Sequence, residues 1–155
     1  MACKSPQLTI LLCMILWIIN SVEGRHTGIK IEDVKYCGPP DKTWKLKVTP
    51  WPVITSGSRY NITVTFTPVV DVLSTSAYFE YEYDGRRIKV YNENVCPSFP
   101  KLCNLPANET CTLTFSRILG SVPPGLKGSF ILTVELRNQG MVLWLCLKLF
   151  VTLIV

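Results

Sequence analysis

Apolar and polar residues alternate one for one from Arg59 to Thr67. Tyr60, Ile62, Val64 and Phe66 fall on one face, and Asn61, Thr63, Thr65 and Thr67 on the other. This two-residue period predicts a strand with one side against a core and the other against water. Ala77 to Tyr83 repeats it, with Ala77, Phe79, Tyr81 and Tyr83 opposed to Tyr78, Glu80 and Glu82. Asp84-Gly85 then turns the chain into Arg86 to Tyr91, a type I′ hairpin signal. Two longer strands follow. Phe130, Leu132, Val134 and Leu136 share a face in the first. In the second, Leu143, Leu145, Leu147, Leu149, Val151 and Leu153 oppose Trp144, Cys146, Lys148, Phe150 and Thr152. Asn138-Gln139-Gly140 lies between the two and predicts an antiparallel hairpin. Gly and Pro punctuate the chain at short intervals, as at Gly38-Pro39-Pro40, Pro50-Trp51-Pro52 and Val122-Pro123-Pro124-Gly125. Together these features predict an all-β sandwich, with no helical period beyond the first residues.

The first 24 residues read as an export signal: Lys4, an apolar run from Leu8 to Ile19, and small residues near Val22-Glu23-Gly24. Residues 25–155 are then expected to form one domain. Met141 to Val155 could instead be read as a membrane tail, but it is shorter than a spanning helix, which needs about 20 apolar residues, and Lys148 interrupts it. The formal charge is +5, with Lys42, Lys45 and Lys47 as the densest basic cluster. Nucleic-acid binding wants a stripe of such charge, so no nucleic-acid partner is expected.

Cys37, Cys96, Cys103, Cys111 and Cys146 lie beyond the leader. In an exported chain disulfides are the default, and an odd count leaves one thiol over. Without a CxxC spacing and with His26 as the single histidine, no structural zinc, no cofactor and no Ser/His/Asp triad is expected. The chain does not read as an enzyme. Sequons at Asn61-Ile62-Thr63 and Asn108-Glu109-Thr110 fit glycosylation on an export route.

Several of these pieces, taken in order, resemble the ML lipid-recognition family: Asp33-Val34-Lys35-Tyr36-Cys37-Gly38, Gly57-Ser58-Arg59-Tyr60 leading into Val64-Thr65-Phe66-Thr67, Cys96-Pro97 with Cys103, Pro123-Pro124-Gly125 before Phe130-Ile131-Leu132-Thr133-Val134, and Leu143-Trp144-Leu145-Cys146. The resemblance runs from about Ile29 to Val155. It implies an immunoglobulin-like two-sheet sandwich whose sheets part to hold a lipid. It also implies a Cys37–Cys146 bridge and a Cys96–Cys103 bridge beside the pocket mouth. The early cysteine pair of sterol-carrying members is missing, and the spacing around Cys96, Cys103 and Cys111 is closer to the ganglioside activator. From sequence a Cys103–Cys111 pairing stays open.

A lipid site needs an apolar cavity and few polar groups, since burial contributes roughly 0.8 kcal/mol per methylene. The lining candidates are Tyr60, Ile62, Val64, Phe66, Phe79, Tyr81, Phe130, Leu132, Val134, Leu145 and Leu147. Periodicity alone reads them equally as a filled core. Phe99, Tyr91, Pro97, Pro100 and Val122 to Pro124 are rim candidates. Trp51 reads as a cap on a sheet edge or a membrane-docking aromatic, and Arg86, Arg87 and Lys89 as a solvated hairpin face or a seat for an anionic headgroup. The resulting expectation is a secreted or endolysosomal carrier of a sterol, phospholipid, glycolipid or fatty acid, in transient contact with membranes; a protein partner stays open. Its rivals are a lipid-binding accessory subunit of an innate immune receptor and a secreted immunoglobulin-like interaction module.

Overall fold

A computed structural model describes residues 27–92, 94–121 and 126–154. Among the described residues nine strands make two sheets: β1 Gly28–Tyr36, β2 Lys45–Thr49, β3 Val53–Thr55, β4 Arg59–Phe66, β5 Ser76–Tyr83, β6 Arg86–Asn92, β7 Cys111–Ile118, β8 Gly128–Arg137 and β9 Leu143–Ile154. A single 3-10 turn, Pro100–Leu102, lies in the loop between β6 and β7. The larger sheet has the order β3-β1-β9-β8-β5-β6, and the smaller the order β2-β4-β7. All the strand pairs are antiparallel. The all-β sandwich expected from the alternation, immunoglobulin-like as the resemblance implied, is the architecture observed.

Both expected hairpins form. Asp84 and Gly85 carry φ of 49° and 69° between β5 and β6, as a type I′ turn requires. At the β8–β9 turn the Asn138 amide donates to the Val142 carbonyl at 2.9 Å, while Asn138 Oδ1 accepts from the amides of Gly140 and Val142 at 2.9 and 3.0 Å. The segment that could have been a membrane tail is β9, hydrogen-bonded on both sides between β1 and β8. Among the described residues no helix is long and apolar enough to cross a membrane.

Two irregularities depart from simple alternation. In β1 the register slips between Ile31 and Asp33, so that Ile29, Ile31, Val34 and Tyr36 pair with Leu153, Val151, Leu149 and Leu147 of β9. The extra residue lets two apolar pairs of opposite parity share the inner face. In β9 a second slip, where Leu136 pairs with Leu145 and Arg137 with Leu143, corrects the expectation that Trp144 faces away from the leucines. Trp144 is buried and packs on Phe66 of the opposite sheet, with ring centroids 5.2 Å apart.

Disulfides fix two places. Cys37 is bonded to Cys146, joining β9 to the chain just after β1, and Cys96 to Cys103, closing the loop that carries Phe99. Cys103 is thereby committed, and Cys111 is a free thiol. Beside the clasp, a Cβ at Gly38 would lie 2.6 Å from the Tyr36 hydroxyl oxygen and 3.1 Å from the Cys146 nitrogen. A side chain there would have to displace the Tyr36 ring.

The outer faces are polar. On the smaller sheet, hydroxyl pairs run across the strands at Thr63–Thr114 and Thr65–Thr112, both 3.0 Å. On the larger sheet Glu80 meets Lys89 at 3.2 Å and Glu82 meets Arg87 at 3.3 Å. Lys89 and Arg87 therefore belong to a solvated outer face. Arg86, opposite Tyr83, has the inward parity.

Candidate functional site between the sheets

Strand register orders the inner face of the larger sheet into rows. Ala77, Leu136 and Leu145 make the first row, and Phe79, Val134, Leu147 and Tyr36 the second. Tyr81, Leu132, Leu149 and Val34 make the third, and Tyr83, Phe130, Val151 and Ile31 the fourth. The smaller sheet answers with Leu46–Val64–Leu113 and Val48–Ile62–Phe115. Three strands cannot cover six, and the packing reflects that mismatch.

Two apolar clusters join the sheets. The first holds Val64, Phe66, Val72, Ala77, Leu136, Trp144 and Leu145, with Phe79, Phe99, Val134 and Leu147 against it. The second holds Ile31, Val48 and Ile54, with Val34, Tyr60 and Ile62 against it, and Leu46 touches both. Between them the third row is thinly packed. Tyr81, Leu132 and Leu149 are half-buried and belong to neither cluster, and the same holds for Phe130 and Phe115. Ile88, beside Tyr81 on the edge strand β6, is 63% exposed. Burial pushes the Tyr81 hydroxyl above its usual pKa. At Tyr60 burial likewise raises the phenol, while the nearby Arg117 charge works against it.

The Val34 end of that row opens on a cleft of about 500 Å³ at the flank between β1 and β2. Val34, Leu46 and Val48 form its floor, with Trp44 beside them and Asp33, Lys47 and Trp51 at the rim. Its size is that of a small-ligand pocket. Trp44 is held from two sides. Its ring lies 5.3 Å from that of Tyr36, and its amide hydrogen-bonds the Asp41 carboxylate. Asp41 also accepts from the Thr43 hydroxyl, at 2.6 Å, and the Thr67 amide, at 2.8 Å. Burial opposes its charge, yet these donors outweigh that and hold the carboxyl below its ordinary pKa. The indole N–H of Trp44 is buried without an acceptor.

The residues expected at the site fall into three groups. Val64, Phe66 and Leu145 are buried in the first cluster, which Phe79, Val134 and Leu147 flank. Tyr60 and Ile62 support the second cluster. Tyr81, Leu132 and Phe130 face the thinly packed interior. Phe99, in the stapled loop, meets Phe115 edge-on at 6.2 Å and lies 5.1 Å from the Arg117 guanidinium. Val122 to Pro124, the leader and His26 lie outside the described residues. Tyr91 stacks on Tyr78 at 4.4 Å on the outer face. Asn61 and Asn108 are both exposed. Cys111 turns inward opposite Phe66, and burial, then the Glu109 charge, raises its thiol pKa. A thiol so shifted is a poor nucleophile.

Val34, Trp44, Leu46 and Val48 were not among the expected lining residues. The signal for the last three was present, since Trp44-Lys45-Leu46-Lys47-Val48 alternates. Val34 was hidden by the slip in β1.

No protein-family model matches the chain, and no curated protein matches its sequence. Its structure, however, is similar to that of chicken MD-1 in complex with lipid IVa, with a TM-score of 0.61 at 15% identity over 84% of this chain and 93% of the other. A Niemann-Pick type C2 protein from Japanese carpenter ant superposes with a TM-score of 0.53 at 15% identity, over 75% of this chain and 96% of that one. The chain has the fold of the ML proteins. At this identity the likeness establishes the architecture, and the resemblance read from the cysteines and strands is supported at that level.

Proposed function

We propose that the protein binds a lipid between its two sheets and carries it without catalysis. The observation behind this reading is the half-buried row Tyr81–Leu132–Leu149–Val34, which ends at the cleft of about 500 Å³. Apolar side chains left half-buried are costly unless something covers them, and each buried methylene of a guest contributes about 0.8 kcal/mol. The lipid IVa bound by chicken MD-1 supports the same reading by analogy. In this proposal Tyr81, Leu132 and Phe130 touch the guest directly, while Val64, Phe66 and Leu145 hold the sheets together behind it.

The two disulfides suit an oxidising compartment. With residues 1–24 as a removable leader and sugars on Asn61 and Asn108, the protein is secreted or delivered to the endolysosomal lumen. The reading is tested by native mass spectrometry of the secreted chain before and after organic extraction. A lipid-sized mass that extraction removes is expected. A chain that carries none, and takes up no fatty acid, sterol or phospholipid when loaded, overturns it.

A further inference from the structure

The larger sheet ends on a bare edge. β6 is its last strand, and no described strand lies beyond it. Asp84 and Gly85 form a two-residue hairpin turn, so Tyr83 and Arg86 are a hydrogen-bonded pair and bonded pairs alternate from there. The backbone groups of Arg86, Ile88, Val90 and Asn92 therefore face β5, and those of Arg87, Lys89 and Tyr91 face outward. Charged side chains ordinarily deter pairing at such an edge. Here they are already matched on their own sheet, Arg87 by Glu82 at 3.3 Å and Lys89 by Glu80 at 3.2 Å. What the edge leaves open is apolar or aromatic. Ile88 is 63% exposed on the inner face, and Tyr91 is 44% exposed on the outer. Tyr91 ends a stack in which the Arg137 guanidinium lies 5.1 Å from the Tyr78 ring, and Tyr78 lies 4.4 Å from Tyr91.

We propose that β6 pairs antiparallel with β6 of a second copy of this chain, joining the two larger sheets into one. Only residues whose backbone groups face outward can exchange hydrogen bonds, which limits the register. Centring the pair on Lys89 uses the whole strand. Arg87 then faces the partner's Tyr91, Ile88 the partner's Val90, and Arg86 the partner's Asn92. In this register the strand is complementary to itself. Arg87 arrives on the side of the Tyr91 ring away from Tyr78, a cation–π contact that extends the existing stack. Ile88 and Val90 form the non-hydrogen-bonded pairs, in which facing side chains are closest. Sliding to a neighbouring allowed register sets Arg87 against the partner's Lys89, or Ile88 against the partner's Asn92. With Lys89 at the centre, only Lys89 meets its like, and its side chain, paired to Glu80, is 78% exposed, so solvent and salt screen the repulsion. About six backbone hydrogen bonds form, two for each bonded pair. The two-fold axis stands perpendicular to the joined sheet, so Ile88, beside Tyr81 of the third row, meets the partner's Val90, beside Phe79 of the second. This inference stands whether or not a lipid is bound.

Sedimentation velocity of the full secreted chain, at concentrations from about 1 μM to about 1 mM, tests this. Edge pairing alone is smaller than a standard protein interface, so a dissociation constant of about 10–100 μM is expected. A short amine-reactive cross-linker should join Lys89 to Lys89, a self-linked peptide that only two copies can give. Lys89→Pro removes an outward N–H and leaves every β5–β6 hydrogen bond in place, as an edge strand tolerates. It should abolish the dimer while the chain stays folded by circular dichroism. Ile88→Asp spares the backbone, sets a carboxylate against the partner's Val90, and should weaken association by about tenfold or more. A native chain that stays monomeric throughout the range overturns the proposal. So does a dimer without the Lys89 self-link, or one that forms equally well in folded Lys89→Pro or Ile88→Asp.

Discussion

The first and third rows of the larger sheet are built from the same kinds of residue and behave differently. Around Ala77, Leu136 and Leu145 the sheets close, with Phe66 and Trp144 filling the space between them. Around Tyr81, Leu132 and Leu149 the same strands run on, but the side chains stay half-buried and join no cluster. One region uses its apolar surface for cohesion, and the other is the surface that the proposed lipid would cover. The division runs along the strands, since both rows lie on β5, β8 and β9.

If that division is real, stability and binding should separate by row. The largest effect is expected from Phe66→Ala, which empties the closed region and should cost about 3–5 kcal/mol by urea denaturation. Leu132→Ala, in the open row, should cost about 1 kcal/mol or less, because its neighbours do not enclose a new void. Equal costs would abolish the distinction. Next comes Cys37→Ser. Opening a link across a sequence separation of 109 residues should lower stability by about 2–5 kcal/mol and reduce the amount secreted. A wild-type melting temperature would show that the clasp contributes nothing.

A matched pair of enlargements sharpens the contrast. Val64→Trp overfills the packed region and should destabilise by about 1–3 kcal/mol. Leu132→Trp should leave the melting temperature nearly unchanged while abolishing displacement of a fluorescent fatty acid. Undiminished lipid uptake in folded Leu132→Trp would place the guest elsewhere. The smallest effect concerns Asp41, which anchors Trp44 beside the cleft. Its folded pKa lies below the unfolded value, so its stabilisation is present above the unfolded carboxyl pKa of about 4 and fades as pH falls through the folded value. Asp41→Asn should flatten that part of a melting-temperature profile taken between pH 6 and pH 3, roughly the span of carboxylate titration. An unchanged slope would remove Asp41 from the acid response.

Much of the fold was legible in the chain because β4, β5, β8 and most of β9 alternate without interruption, and alternation reports which side of a strand is covered. The hairpins were legible too, because Asp84-Gly85 and Asn138 to Gly140 carry residues that only turns favour. β1 was not. Its slip after Ile31 places Ile29 and Val34 on one face although they differ in parity, and no two-residue pattern reveals that. Trp144 was assigned outward for the same reason. The lining was harder still. Alternation says that Leu132 and Leu136 share a face, but not that the opposite sheet reaches one and falls short of the other. Lys45 and Lys47 made β2 read as a basic cluster, which masked the wall formed by Trp44, Leu46 and Val48.

The placement of β9 has a consequence for biogenesis. Cys37 emerges from the ribosome 109 residues before Cys146, and β1 and β8 cannot join one sheet until β9 arrives to bridge them. Until then Ile29, Ile31, Val34 and Tyr36 lack their β9 partners, although Ile29 can already pair with Ile54 of β3, and any disulfide that Cys37 forms in that interval is with a cysteine other than Cys146. The clasp can therefore close only after β9 has been made, however fast the local hairpins zip.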